Sequence, residues 1–164
     1  MIQYTEKGVG LHQAIRAAGH WLREENGQWV SSNDAAVQAI IDGYDPAAPA
    51  RAAKWLEIQA ERERRKNAGY AAGGHRFHSD PDSRIQQLGL VMMGAGLPAG
   101  IQWKTLGGGF VTMTPQLAGA IFQATAAADT AIFAAAEAHR AAINAMSDWR
   151  AIEAYDFSGG WPAV

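Results

Sequence analysis

Fourteen of the thirty-two residues from Pro115 to Met146 are alanine, and the stretch holds no proline after its first position. Alanine is the best helix former, so this composition commits a large part of the chain to one element. Thr114 is suited to be its N-cap and Pro115 its first helical residue. At 1.5 Å per residue the helix would measure roughly 48 Å. Leu117, Ile121, Ala124, Ala128, Ala131, Ala135, Ala138, Ile143 and Met146 trace one face, most of it small, and Phe122 and Phe133 lie on a neighbouring stripe. A helix this long overreaches a small domain. It either packs against a partner, another copy of the chain included, or stays half exposed, and small faces suit close helix–helix contact. A break near residues 126–130, giving two segments, is the other reading.

The remaining elements announce themselves by punctuation. Leu11–Ala18 reads as a short helix stopped by Gly19. Residues 20–23 and 28–31 flank Asn26-Gly27, the strongest short hairpin signal. Ser32 or Asn33 caps a helix over Asp34–Asp42, and residues 46–66 form a connecting helix with a dense charged end, Glu61 to Lys66. Gly73-Gly74 turns a second hairpin between Tyr70–Ala72 and His75–His78. Asp80-Pro81 opens a helix to Met93, with Ile85, Leu88 and Met92 expected on its buried face. Ile101–Thr105 and Phe110–Thr114 alternate strictly and form a third hairpin. The fold expected is α+β and helix-dominated, with short β-hairpins plus a long Ala-rich C-terminal helix. Its organisation reads as a small N-terminal module (1–45), a connecting helix (46–69), a main domain (70–147) and an aromatic C-terminal tail (148–164). The core is expected at Trp55, Ile58, Phe77, Ile85, Leu88, Met92, Trp103, Val111, Leu117, Ile121 and Ile132.

Several functions are disfavoured by composition. Fourteen Lys+Arg against sixteen Asp+Glu leave a net charge of −2, without the basic footprint that nucleic-acid binding needs. Cysteine is absent, which removes disulfides, thiolate metal sites and thiol nucleophiles. No run of about 18 uninterrupted apolar residues is present, so no membrane partner is expected. The opening MIQYTEKGVG lacks the apolar core of a signal peptide, and synthesis in the cytosol is the expectation. His75, His78, Asp80 and Asp82 are the densest group of metal-ligand types. Residues three apart on a strand face opposite ways, however, and Asp80 is spoken for as a cap. No GxSxG, HExxH, P-loop or GxGxxG occurs. The expectation is therefore no catalytic residue, no metal and no cofactor. Partner-binding residues are expected where aromatics concentrate outside the core: Phe122 and Phe133 on the long helix, and Trp149, Tyr155, Phe157 and Trp161 in the tail. On that reading, ending the chain at Ser147 would abolish binding and spare the fold.

Five segments together resemble a known family: residues 59–69; Gly73-Gly74-His75-Arg76-Phe77-His78-Ser79-Asp80; Ser83-Arg84-Ile85-Gln86-Gln87-Leu88-Gly89; residues 97–105; and Phe110-Val111-Thr112-Met113-Thr114. They are similar to a domain family of tailed phages and prophages encoded beside tail-fibre genes, over about residues 57–146. The closing Gly160-Trp161-Pro162 is similar to the endings of phage tail-fibre assembly proteins. The resemblance implies a non-enzymatic tail-associated protein, located in the virion tail or in the host cytoplasm during assembly. Its partner would be the tail fibre or another tail protein. Two roles follow from it: an assembly chaperone or tip adaptor that binds the fibre polypeptide, or a permanent component of fibre, baseplate or tail tip.

Overall fold

The computed structural model describes residues 1–8 and 10–163. It is a helix-dominated α+β structure with three separate two-stranded antiparallel hairpins and a long C-terminal helix. The elements run α1 (Gly10–Ala17), β1 (Leu22–Glu25), β2 (Gln28–Ser31), α2 (Asp34–Gly43), α3 (Ala47–Lys66), β3 (Tyr70–Ala72), β4 (His75–Phe77), α4 (Pro81–Met93), β5 (Gln102–Lys104), β6 (Phe110–Thr112), α5 (Pro115–Asn144) and α6 (Trp149–Glu153). They divide into two compact units. The first holds residues 1–55 and 143–155, the second residues 56–142 and 156–164, so the chain passes between units three times: inside α3, near the end of α5 and again after Tyr155.

In the first unit, Asn26 and Gly27 both take positive φ (52° and 76°), the geometry of a type I′ turn, and set the register Arg23↔Val30 and Glu24↔Trp29. The hairpin and the two short helices enclose Ile2, Leu11, Ile15, Val37 and Ile41. Tyr4 stacks on Trp29 with ring centroids 4.0 Å apart. Asn33 caps α2 by accepting from the Ala36 N–H, and Lys7 Nζ donates to the carbonyls of Ile41 (2.6 Å) and Tyr44 (3.0 Å) at its other end. A cation there satisfies otherwise open carbonyls and complements the helix dipole. A smaller cluster joins Ala47, Ala50 and Ile152, with Met146 and Trp149 packed against it.

In the second unit, Phe77, Leu90, Leu97, Met113, Ala118 and Ile121 form the core, flanked by Trp103, Val111 and Leu117. Ile58 and Ile132 are also fully buried. Gly73 and Gly74 make the second hairpin turn with φ of 55° and 78°. α5 is one uninterrupted helix of 30 residues, with no break near 126–130. Thr114 Oγ1 accepts from the Leu117 N–H, as an N-cap should. Its most apolar window has a mean hydropathy of 1.3, so by length and composition it could cross a membrane. Here Ala118 and Ile121 belong to the core of the second unit.

One core expectation is overturned. Ile85, Leu88 and Met92 are exposed by 69%, 43% and 79% rather than buried. The inward face of α4 carries Gln87 and Leu90, both buried, with Arg84 and Val91 half-buried beside them. Arg84, Gln87 and Val91 repeat the i, i+3, i+7 spacing one residue back, about 100° round the helix from the expected stripe. Polar anchors fix that rotation: Gln87 Nε2 donates to the His78 carbonyl at 2.7 Å, and Arg84 is held as described next. Trp55, also expected in the core, is half-buried.

Candidate functional site

Arg84 is where four segments of the second unit are tied to α5. Its Nε donates to the Ser79 carbonyl (2.5 Å) and its Nη1 to Asp129 Oδ2 (2.6 Å). Its Nη2 reaches the Lys66 carbonyl (2.9 Å), Tyr70 Oη (2.8 Å) and Asp129 Oδ1 (3.1 Å). Tyr70 Oη donates to Asp129 Oδ1 at 2.5 Å. Ser79 Oγ donates to the Lys66 carbonyl and accepts from the Gly69 N–H. Burial works to raise the Asp129 carboxyl, but the hydrogen bonds from Arg84 and Tyr70 outweigh it and hold the group below the usual carboxylate range. Burial and the bond to Asp129 push Tyr70 up to about 12. The cluster is neutral in sum and its acceptors are occupied, so it acts as a clasp rather than as an open charged site.

Because Tyr70 is raised in the folded state, its contribution to stability is complete below the unfolded value near 10 and is lost as pH rises through 12. About 2–3 kcal/mol should disappear across that window. Denaturant titrations at pH 9 and pH 12 should show it, and Tyr70→Phe should reduce the difference.

Above the clasp lies a cleft of about 340 Å³ between α4 and α5, walled by Ile85, Leu88, Phe122, Thr125 and Ala126, with Arg84, Gln87 and Asp129 at its base. Phe122 is 47% exposed. A second groove, of about 240 Å³, lies on the other side of α4. It is lined by His78, Ser83, Gln86, Gln102, Trp103, Lys104 and Phe110, and Phe110 at its edge is 66% exposed.

The sequence-predicted partner residues do not gather on one surface. Phe122 faces the cleft. Phe133 lies beneath Arg62 and Lys66, whose cations sit 4.7 and 5.1 Å from its ring centroid. Phe157 and Trp161 pack against His139 of α5 with centroids 6.5 and 5.1 Å away. Trp161 Nε1 donates to the Phe157 carbonyl at 2.7 Å, and Arg65 covers the indole at 5.1 Å. Trp149 packs on the Ala47–Ala50–Ile152 cluster of the first unit, and Tyr155 is half-buried. The tail aromatics thus serve the chain's own packing. Among the described residues no three His, Asp or Glu side chains converge as a metal site would require. His75 instead lies edge-on to Phe77 at 6.3 Å, and Asp80 caps α4 by accepting from the Ser83 N–H.

A family model described as "Domain of unknown function (DUF4376)" matches residues 49–159. The chain belongs to the DUF4376 family. The matched span takes in α3 from its third residue through α6, and with them the clasp and both grooves of the DUF4376 domain. No curated protein and no solved structure matches the chain.

The residues missed by sequence reasoning are Ile85, Leu88 and Met92. Their helical spacing was plain, but spacing states that a helix has an apolar face, not where that face points. The available signal was Arg84 and Gln87, two long hydrogen-bonding side chains on the adjacent stripe.

Proposed function

We propose that the protein is a non-enzymatic phage tail-associated protein that binds the tail-fibre polypeptide as an assembly chaperone or tip adaptor. One observation carries the binding role: large apolar side chains left in solvent on both sides of α4, namely Ile85, Leu88, Met92 and Phe122 on one side and Phe110 on the other. A protein acting alone rarely exposes contiguous apolar patches above a few hundred Å². The link to the tail fibre is supported by the resemblance of residues 57–146 and of the Gly160-Trp161-Pro162 ending. The groove at Phe110 suits an extended polypeptide, since an aromatic edge adjoins amide, imidazole and ammonium side chains.

Co-expression with the fibre polypeptide, followed by mass spectrometry of purified virions, tests the reading. Fibre that misfolds without the protein, with none of it in the virion, is the chaperone outcome. A fixed ratio to fibre in the virion is the outcome for a retained adaptor or a permanent structural component. If neither fibre folding nor virion content depends on the protein, the reading fails. Phe110→Ser should weaken fibre capture about tenfold, as loss of an aromatic hot spot does, and should leave the melting transition in place.

A further inference from the structure

We infer that the groove between α4 and β5 takes an extended, acidic segment of the partner polypeptide as a third strand, paired through its main chain with the open edge of β5. The inference rests on the binding role proposed above and names its mode.

The ladder of the third hairpin leaves this edge open. The Met113 N–H donates to the Ile101 carbonyl and the Thr105 N–H to the Gly109 carbonyl, both at 2.8 Å. In an antiparallel ladder, hydrogen-bonded pairs alternate with non-bonded ones. With Ile101 and Thr105 in bonded pairs, the bonded pair between them is Trp103↔Val111, and Gln102↔Thr112 and Lys104↔Phe110 are the non-bonded pairs. The N–H and C=O groups of Gln102 and Lys104 therefore point away from β6, and none of them bonds another described residue. On β4, by contrast, the chain uses its own edge: the Leu106 N–H donates to the Arg76 carbonyl at 2.8 Å.

The groove of about 240 Å³ runs along that open edge. Three consecutive residues of β5, Gln102, Trp103 and Lys104, line it. Consecutive side chains point to opposite faces of a strand, so a groove that touches all three lies beside the strand rather than over one face. His78, Ser83 and Gln86 form the opposite wall. Open main-chain groups two residues apart along a strand are matched by another extended chain, which is how sheet edges capture peptides. Charge then selects among extended chains. Lys104 is the one lysine or arginine lining the groove, no carboxylate lines it, and the ammonium forms no ion pair with a described residue. Asp80, at the start of α4, is engaged by the Ser83 N–H and hydroxyl at 3.0 and 2.6 Å. An acidic side chain opposite Lys104 on the added strand completes a cross-strand ion pair, with Phe110 beside it on the same face.

The experiment follows amide exchange by NMR in the full chain. Two probes are added separately: the fibre polypeptide, and a carboxymethylated model polypeptide that stays unfolded and is acidic throughout. With either, exchange at the Gln102 and Lys104 N–H groups should slow about tenfold, as pairing protects amides, while Thr112 on the far edge keeps its rate. Gln102→Pro removes one edge donor and no ladder bond, and proline is tolerated on edge strands. It should weaken binding of both probes about tenfold. Gln102→Ala keeps the N–H and should bind like wild type. Lys104→Glu keeps the main chain and should reverse the preference, toward an unfolded lysine-rich chain. Should Gln102→Pro fail to fold, the wild-type exchange pattern and Lys104→Glu decide. Unprotected Gln102 and Lys104 amides in the presence of both probes, Gln102→Pro binding as tightly as wild type, or Lys104→Glu keeping the acidic preference each overturns the inference. Fibre captured with both amides unprotected ends this inference alone. An acidic model chain held on this edge, with no fibre captured, ends the fibre reading alone.

Discussion

Ending the chain at Ser147 is expected to unfold the first unit rather than to free a binding tail. Ile152 is fully buried and shares a cluster with Ala47 and Ala50, and Trp149 packs against the same residues. α6 is fixed there by Asp148, whose Oδ1 accepts from the Arg150 N–H. Burying one large apolar side chain contributes about 1.5–3 kcal/mol, so losing Ile152 and Trp149 together removes on the order of 4 kcal/mol. Domains of this kind hold about 5–15 kcal/mol in all. The truncated chain should therefore show a melting transition lowered by many degrees, and loss of far-UV signal at 37 °C is the outcome expected. Ile152→Ala in the full chain is the milder form, worth about 2–5 kcal/mol. A truncated chain that melts with wild type would place the tail outside the core and return it to the list of interaction surfaces.

The contrast between tail and hairpins shows where sequence is legible. Asn26-Gly27 and Gly73-Gly74 encode their turns locally, because positive φ at both turn positions is a property of the residues themselves. Asp80 and Thr114 cap α4 and α5 through side chains that reach three residues ahead. Such features need no knowledge of the rest of the chain. The orientation of α4 does. Its stripe of Ile85, Leu88 and Met92 and its stripe of Arg84, Gln87 and Val91 are both continuous. Which one turns inward depends on Asp129, forty-five residues on, and on the carbonyls of Lys66, His78 and Ser79. The tail is a similar case: five bulky aromatic or proline residues in a short stretch fit an interaction surface and a docked strap equally well. Only the positions of His139, Arg65 and the Ala47–Ala50 face decide between them. The candidate site was legible at Phe122 and illegible at its three neighbours on α4 for this reason.

Asp129→Ala should be a strongly destabilising change on α5. It leaves the Arg84 guanidinium half-buried with its main counter-charge gone, and it strips Tyr70 Oη of its acceptor. Removing one partner of a buried ion pair costs about 3–5 kcal/mol, and the partial exposure of both side chains argues for the lower end, about 3 kcal/mol. The loss should appear as a lower denaturation midpoint at constant slope. Acid should imitate it. The Asp129 carboxyl is depressed in the folded state, so its contribution is complete above the unfolded value near ~3.9 and fades as pH falls through the lower folded one. Asp129→Asn keeps the shape but loses the charge, and its stability should converge on wild type as pH falls below that window.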